Sequence, residues 1–292
     1  MDNKIIISLS TIPPRIIDIE PVIKSLQNQT LKPDFIYINV PKKYKRFSES
    51  LVIPEFMKKK EYSNVKMFWM DDDYGPASKF IGTFLNKDVS NDDFVFITDD
   101  DVEKKSHWVK TLYDKFIALK QTTICSFVEL NLGKNIIWGY MGYVFKKRMM
   151  NIDEILKFYS KVSTDCFLVD DHWFTGYCRF KSIPIFNIPI RRHTEINIPI
   201  PSSSSLVNLK GDSHRRIVSE KCRSCIKDEF DVEVPFWCCI GCCKKGKKIV
   251  EKFEPHDIND WIKFKGSYVS GTESSKDIDT NPKDSIRSDS IQ

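Results

Sequence analysis

Short apolar strands alternate with helical patterns from the start of this chain, and no other feature restricts its fold as strongly. The patterns predict strands at residues 4–9, 35–40, 65–70 and 94–98, and helices at residues 19–28, 77–85 and 106–120. Strands joined by helices in this way form a mostly parallel sheet with helices on both faces. We therefore predict an α/β, Rossmann-like fold, in which ligands bind beyond the carboxyl ends of the strands.

The second half of the chain is less regular. We predict strands at residues 122–130 and 136–145, helices at residues 152–162 and 170–180, and a loop at residues 199–205. Prolines interrupt a further strand pattern at residues 182–190, which predicts a position at the edge of the sheet. From residue 266 onward apolar residues are few, and we expect disorder there.

Length and charge restrict the class of protein. A chain of 292 residues holds one large domain, or one domain with appendages. A net charge of +5 from 45 basic and 40 acidic residues gives no support for specific nucleic-acid binding. No apolar run approaches the roughly 20 residues that span a bilayer. The opening hydrophobic stretch is too short for a signal peptide, so we expect a cytoplasmic protein.

Three carboxylates, Asp99, Asp100 and Asp101, follow directly after the predicted strand at residues 94–98. A buried strand that ends in this way presents the charges together at one edge of the sheet. Their mutual repulsion is tolerable when a cation binds, and oxygen-only ligands suit Mg²⁺ or Mn²⁺. The alternative is a solvated acidic turn, but the preceding strand and the segments described next favour the metal site.

Two further segments suit a nucleotide. Ser8 and Thr11 end the first strand, where small hydroxyl side chains let a base and ribose approach the backbone, and Arg15 can neutralise phosphate. Asp73 opens a Gly-Pro turn into a helix whose first turn holds Lys79, where a cation opposes the helix dipole. A bound anion would explain that placement. The alternatives are an ordinary strand-to-helix loop and a lysine that extends into solvent.

Paired acids and paired glycines mark the second half of the predicted site. Asp170 and Asp171 open a helix rich in aromatic residues, where a carboxylate is a natural general base for a sugar hydroxyl. The alternative is an ordinary helix cap. Gly139 and Gly142 lie in an aromatic segment, where glycines let the backbone approach a ligand and aromatic rings pack on sugars.

The order of these segments resembles that of GT-A-fold glycosyltransferases. The segments read Ser-Leu-Ser-Thr-Ile-Pro-Pro-Arg at residues 8–15, Asp-Tyr-Gly-Pro-Ala-Ser-Lys at 73–79, Asp-Asp-Asp at 99–101, Gly-Tyr-Met-Gly at 139–142 and Asp-Asp-His-Trp at 170–173. The chain is most similar to compact nucleotide-sugar-dependent enzymes of large DNA viruses and of microbial surface-glycan clusters. The resemblance covers residues 4–190 and rests on the number, order and spacing of the motifs.

The resemblance implies a transferase that moves a sugar from a nucleotide-sugar to a glycan or other hydroxyl acceptor. The expected donor is a UDP-sugar. The reaction would use Mn²⁺ or Mg²⁺ and would invert the anomeric configuration. Asp171 would be the catalytic base, and Asp170 would cap the helix or hold the acceptor. A viral enzyme of this type would act in the host cytoplasm. We expect a GT-A domain at residues 1–210, a Cys-rich appendage at 211–265 and a disordered tail at 266–292.

The resemblance also implies a metal shell and a donor site. Asp101 would ligate the metal, and Asp99 would contact ribose or a second metal position. A histidine often completes the shell in this family; we assign His193 to it, although neither His193 nor His214 has a clear motif. Lys79 would contact donor phosphate or ribose. The full predicted donor-binding set is Ser8, Thr11, Arg15, Asp73, Lys79, Asp99, Asp100, Gly139 and Gly142.

Six of the nine cysteines crowd into residues 222–243. Two Cys-x-x-Cys knuckles at this separation are typical of a tetrahedral, structural zinc site. We assign its ligands to Cys222, Cys225, Cys239 and Cys242, with Cys238 and Cys243 as alternatives. The same segment continues into a lysine run, so S-acylation beside a peripheral membrane contact is a second interpretation. Free thiols or disulfides are the third.

Two other functions share part of the pattern. A nucleotidyltransferase acting on sugar phosphates has the same sheet and acidic site, but it normally carries a Gly-rich loop after the first strand. Here residues 11–15 contain no glycine. A non-catalytic module that binds zinc or a membrane would explain residues 222–248 but would leave the aspartates without a role.

Overall fold

The computed structural model of the protein describes residues 3–130, 135–199 and 206–235. Residues 1–246 form one compact unit, to which all the described residues belong. A second unit, residues 247–292, lies outside the described residues.

The described strands form two sheets. The strands are β1 (Ile5–Ser10), β2 (Phe35–Pro41), β3 (Val65–Met70), β4 (Phe94–Ile97), β5 (Val102–Lys104), β6 (Ile124–Glu129), β7 (Tyr143–Phe145), β8 (Ile185–Ile190) and β9 (Asn197–Pro199). The large sheet has seven strands in the order β3-β2-β1-β4-β7-β6-β8, and β5 pairs with β9 in a small one. In the large sheet β7 runs antiparallel to β4 and β6, and all other neighbours are parallel.

Helices connect the strands and cover the sheet. The described α-helices are α1 (Pro13–Ile16), α2 (Glu20–Gln27), α3 (Ser78–Leu85), α4 (Trp108–Ala118), α5 (Ile152–Cys166), α6 (Asp170–Phe180) and α7 (Leu206–Phe230). Short 3₁₀ turns lie at Glu55–Lys58, Lys60–Tyr62, Gly75–Ala77, Lys147–Met149 and His193–Glu195. The turn at Gly75–Ala77 leads directly into α3, so the chain passes from the end of β3 to that helix through the predicted Gly-Pro turn.

Side chains alternate between the two faces of the sheet, and each face packs against its own helices. In β1, Ile7 joins the core that includes α2 and α4, whereas Ile6 joins the core that includes α3, α5 and α6. β4 divides in the same way, with Phe96 on the first face and Val95 on the second. Both faces of a largely parallel sheet are thus covered, which explains why its central strands are mostly apolar.

The predicted α/β fold is confirmed, with two local corrections. Of the strand predicted at residues 136–145, only Tyr143–Phe145 pairs with the sheet. Gly142 has a φ of +94°, a conformation that interrupts an extended strand, so the preceding residues form a loop. α5 continues to Cys166, beyond its predicted end. The Pro-containing strand β8 lies at the edge of the sheet, as predicted.

α7 runs through the predicted domain boundary at residue 210. Its side chains Cys222 and Ile226 are fully buried in the core that α5 and α6 share. The division into residues 1–210, 211–265 and 266–292 stays a prediction, because most of the last two segments lies outside the described residues. None of the described helices is both long enough and apolar enough to cross a membrane.

Candidate functional site

A cavity of about 290 Å³ lies beyond the carboxyl ends of β1 to β4. This is the edge at which the topology predicts a ligand site. Residues from all five predicted segments contribute to the wall. Its polar and aromatic lining comprises Ser10, Thr11, Arg15, Tyr44, Arg46, Asp73, Ser78, Lys79, Asp99, Asp100, Asp101, Trp138, Tyr140, Asp170, Asp171, His172 and Ser219.

Arg15 holds two of the three strand-end carboxylates. Its Nη1 lies 3.0 Å from Asp100 Oδ1 and 3.0 Å from Asp101 Oδ2. Burial raises the pKa of Asp100 to about 7, although the Arg15 charge opposes that shift. The side chain of Asp100 is almost fully buried, whereas that of Asp101 is 27% exposed. Arg15 therefore neutralises protein carboxylates, which limits its ability to neutralise a phosphate as the sequence predicted.

Lys79 joins the strand-end acids to the acid pair of α6. Its Nζ lies 2.7 Å from Asp99 Oδ1 and 2.7 Å from Asp170 Oδ2, and its side chain is only 2% exposed. Burial alone would lower the pKa of Lys79, but Asp170 and Asp99 hold it well above its usual value. Gly139 makes room for this arrangement, because a Cβ there would lie 2.4 Å from Nζ. Lys79 is therefore an internal ionic bridge between two motifs.

Asp171 lines the cavity beside Asp170 but makes different contacts. Its Oδ1 accepts a hydrogen bond of 2.8 Å from the backbone N–H of Gly139. Burial, reinforced by the neighbouring Asp170 charge, raises the pKa of Asp171 to about 7. A carboxylate that is fixed in place and titrates near neutral pH suits a general base. Asp170, by contrast, is engaged by Lys79.

Two predicted donor-binding residues, Ser8 and Gly142, contact other parts of the protein and do not line the cavity. Ser8 is fully buried, and its hydroxyl donates a 2.5 Å hydrogen bond to the backbone carbonyl of Lys79. Gly142 admits the ring of Trp108, because a Cβ at this glycine would lie 2.3 Å from Cζ2. The glycines predicted to admit a ligand thus admit side chains of the protein itself.

The loop after β2 carries two cavity residues, Tyr44 and Arg46, that belong to none of the sequence motifs. The Tyr44 hydroxyl donates a 2.9 Å hydrogen bond to the carbonyl of Thr11. The backbone N–H of Lys45 donates to Asp73 Oδ2 at 2.7 Å. The rule that ligands bind past the ends of parallel strands, applied to β2, would have indicated this loop.

The structure does not place His193, the predicted third metal ligand, on the cavity wall. Its Nδ1 lies 2.8 Å from Glu129 Oε1, and its backbone N–H donates to the same carboxylate oxygen. The ring centres of His193 and Tyr140 are 6.5 Å apart. His193 is therefore a partner of Glu129 at the end of β6, which corrects its assignment beside Asp101. The side chain of His214 lies outside the described residues.

Cys222 forms a disulfide with Cys166, which joins α7 to the end of α5. A sulfur in a disulfide is not a thiolate, so this structure removes Cys222 from the predicted zinc ligands. Cys225 has a free thiol on the same helix. Cys239 and Cys242 lie outside the described residues, as does the lysine run of the predicted membrane contact, and zinc binding stays a prediction.

Asp99 and Asp101 offer oxygen ligands for a divalent ion. Their side chains are 30% and 27% exposed on the cavity wall. Each is also engaged by a cation, and within the described residues no group of three or more His, Cys, Asp or Glu side chains is arranged to hold a metal. Two carboxylates suit Mg²⁺ or Mn²⁺, which usually take their other ligands from water and substrate phosphates. Asp99 and Asp101 are therefore the residues that would hold such an ion, and metal binding stays a prediction.

Neither a protein-family model nor a curated protein matches the sequence. Among solved structures, the chain is similar to 2-C-methyl-D-erythritol 4-phosphate cytidylyltransferase (IspD) of Francisella tularensis, with 13% sequence identity and a TM-score of 0.44. The match covers 69% of this chain and 95% of that one. At this level of similarity no activity transfers between the two, and the fold assignment rests on the strand order.

Proposed function

We propose that this protein is a metal-dependent glycosyltransferase that moves a sugar from a nucleotide-sugar to a hydroxyl acceptor, with inversion. One observation carries the proposal: the strand-end acids and the Asp170–Asp171 pair line the same cavity, with Lys79 bonded to both groups. Glycosyl transfer needs a site for a diphosphate within reach of a base for the acceptor. UDP is the proposed nucleotide because of the sequence resemblance.

Asp171 is the proposed base. The acceptor oxygen attacks the anomeric carbon while its proton passes to the Asp171 carboxylate. The new bond from carbon to the acceptor oxygen forms as the bond to the diphosphate oxygen breaks, and the nucleoside diphosphate leaves with the electron pair. A single in-line displacement of this kind inverts the anomeric configuration. The hydrogen bond from Gly139 fixes one oxygen of Asp171 during the step.

Asp101 and Asp99 would hold the divalent ion. When bound, Mg²⁺ or Mn²⁺ supplies positive charge that offsets the charge developing on the departing diphosphate. Arg15 holds Asp101 and Lys79 holds Asp99 through ion pairs, which orient these carboxylates. Trp138 and Tyr140 contribute aromatic surface to the cavity, which suits a sugar ring of the acceptor.

A nucleotidyltransferase acting on a sugar phosphate is the second candidate. The observation in its favour is the same acidic cavity at the carboxyl ends of a Rossmann-like sheet. Such an enzyme joins a nucleoside triphosphate to a sugar phosphate and releases pyrophosphate. The absence of glycine from residues 11–15 argues against it.

The released product distinguishes the two reactions. The protein is incubated with Mn²⁺ and a panel of nucleotide-sugars, with glycan acceptors present, and free UDP or GDP is measured. In parallel, nucleoside triphosphates and sugar 1-phosphates are supplied and pyrophosphate is measured. We expect nucleoside diphosphate in the first series and no pyrophosphate in the second. Pyrophosphate release alone would replace the proposal with the second candidate.

An inactive variant controls for contaminating hydrolases. Asp171→Asn should abolish release of the nucleoside diphosphate in the same preparation, because it removes the proposed base without changing the shape of the side chain. Release that persists unchanged in this variant would mean that the activity does not come from this cavity.

A further inference from the structure

Among the described residues, three basic side chains line the cavity, and two of them are already neutralised. Arg15 lies within 3.0 Å of Asp100 and Asp101. Lys79 lies within 2.7 Å of two other aspartates and is almost fully buried. Neither side chain can turn toward an anionic ligand without leaving a buried carboxylate without its partner, which is costly.

Arg46 is the third basic side chain, and its contacts are of another kind. Its guanidinium lies 5.3 Å from the ring centre of Phe47 and 5.9 Å from that of Phe167. Among the described residues it has no carboxylate within ion-pair distance and no side-chain hydrogen bond. Contacts with aromatic faces leave the N–H groups at the edge of a guanidinium available, and these groups match the oxygens of a phosphate.

The loop that carries Arg46 is fixed by hydrogen bonds of the two residues that precede it. Tyr44 donates a hydrogen bond of 2.9 Å to the carbonyl of Thr11, and the backbone N–H of Lys45 donates one of 2.7 Å to Asp73. Phe167, one of the two rings against Arg46, lies shortly before Asp170 and Asp171 in the chain. Arg46 is therefore held at the rim of the cavity between the loop after β2 and the segment that leads into α6.

We propose that Arg46 binds a phosphate group of the ligand and is the main phosphate contact that this cavity supplies from its own side chains. The proposal rests on the proposed function, and it moves the phosphate-binding role from Arg15 and Lys79 to a residue that the sequence motifs did not include. The phosphate belongs either to the diphosphate of a nucleotide donor or to a phosphorylated sugar.

The test measures binding of inorganic pyrophosphate by calorimetry at fixed Mg²⁺ and fixed ionic strength. Arg46→Gln should weaken pyrophosphate binding at least about tenfold, the scale of a lost charge-assisted hydrogen bond. Lys45→Gln is the matched control. Lys45 is the adjacent residue and lies 5.3 Å from the same Phe167 ring, but it does not line the cavity. It should change the affinity by less than about twofold.

Three further ligands identify the source of the phosphate. UDP, uridine and glucose 1-phosphate are titrated into the wild type and Arg46→Gln. Weaker binding of UDP with unchanged binding of uridine places the donor diphosphate at Arg46, whereas weaker binding of glucose 1-phosphate alone places a sugar phosphate there. Equal pyrophosphate affinity in the wild type and Arg46→Gln, or no pyrophosphate binding by the wild type, would overturn the proposal. Neither outcome depends on turnover, which separately tests the glycosyltransferase assignment.

Discussion

At the scale of single residues, burial changes what a motif residue does. Lys79 follows a Gly-Pro turn, and from sequence alone its removal should cost donor affinity and little stability. In the structure its ammonium group lies between two aspartates in the interior. The sequence identified a position where a cation needs an anion. It did not show that the anion belongs to the protein, because one partner follows β4 and the other begins α6, and no local pattern pairs them with Lys79.

The first prediction concerns Lys79→Met. Removing the ammonium group leaves Asp99 and Asp170 without their shared partner, so the free energy of unfolding should fall by about 3 kcal/mol or more. Denaturant unfolding measures this loss, and Lys66→Met, on the exposed side of edge strand β3, is the control. Adding Asp170→Asn to Lys79→Met should recover part of the lost stability. A variant as stable as the control would show that the bridge has no structural role.

The second prediction concerns Asp171→Asn. The variant keeps the shape of the side chain but cannot accept a proton, so turnover should fall by about a hundredfold or more while UDP affinity stays unchanged. Because burial raises the pKa of Asp171 to about 7, wild-type turnover should rise as the pH increases through that value and the carboxylate forms. NMR of the product should show the anomeric configuration inverted. Retained configuration, or near-normal turnover of the variant, would remove Asp171 from the mechanism.

At the scale of elements, periodicity predicted most of the fold and failed where side chains from distant segments decide the backbone. β3 and α6 have the bounds expected from sequence. Residues 136–142 are apolar enough for a strand, yet they form a loop that supports the site. Ser126 from β6 and Thr175 from α6 accept their backbone N–H groups. Those partners take the place of a neighbouring strand, and no local pattern reveals them.

The third prediction concerns the link between α5 and α7. Cys166 and Cys222 are 56 residues apart and bonded, so Cys222→Ser should reduce the free energy of unfolding by about 2–4 kcal/mol under non-reducing conditions. Cys225→Ser, which alters a free thiol one turn away, is the control. With dithiothreitol present, most of the difference in the free energy of unfolding between the wild type and Cys222→Ser should disappear. Equal stability of the two without reductant would mean that the disulfide does not form in solution.

At the scale of the whole molecule, the topology places unlike motifs at one edge of the sheet. The rule for parallel strands predicted this edge from sequence, and it accounts for why predicted motifs separated by up to about 160 residues line a single cavity. The metal shell was predicted less well, because His193 has no motif and turns to Glu129 instead. The cysteine pattern suggested zinc because spacing does not reveal that Cys166, outside the cluster, is the partner of Cys222.

The charge of the cavity wall affects the binding of a nucleotide. Of the residues that the structure describes, six aspartates line the cavity, against the basic side chains of Arg15, Arg46 and Lys79. Even with some of the aspartates protonated, a nucleoside diphosphate that enters such a cavity meets like charge, and a divalent ion held by Asp99 and Asp101 would reverse that repulsion. Nucleotide binding should therefore depend on the ion and on the carboxylates that hold it.

Calorimetric titration of UDP measures whether nucleotide binding depends on the divalent ion. The wild type is titrated with Mn²⁺ and again with EDTA, and Asp101→Asn is titrated with Mn²⁺. We expect binding by the wild type with Mn²⁺, affinity lower by at least about tenfold with EDTA, and a similar loss in Asp101→Asn. Equal UDP affinity of the wild type with and without Mn²⁺ would show that the cavity binds nucleotide without a divalent ion.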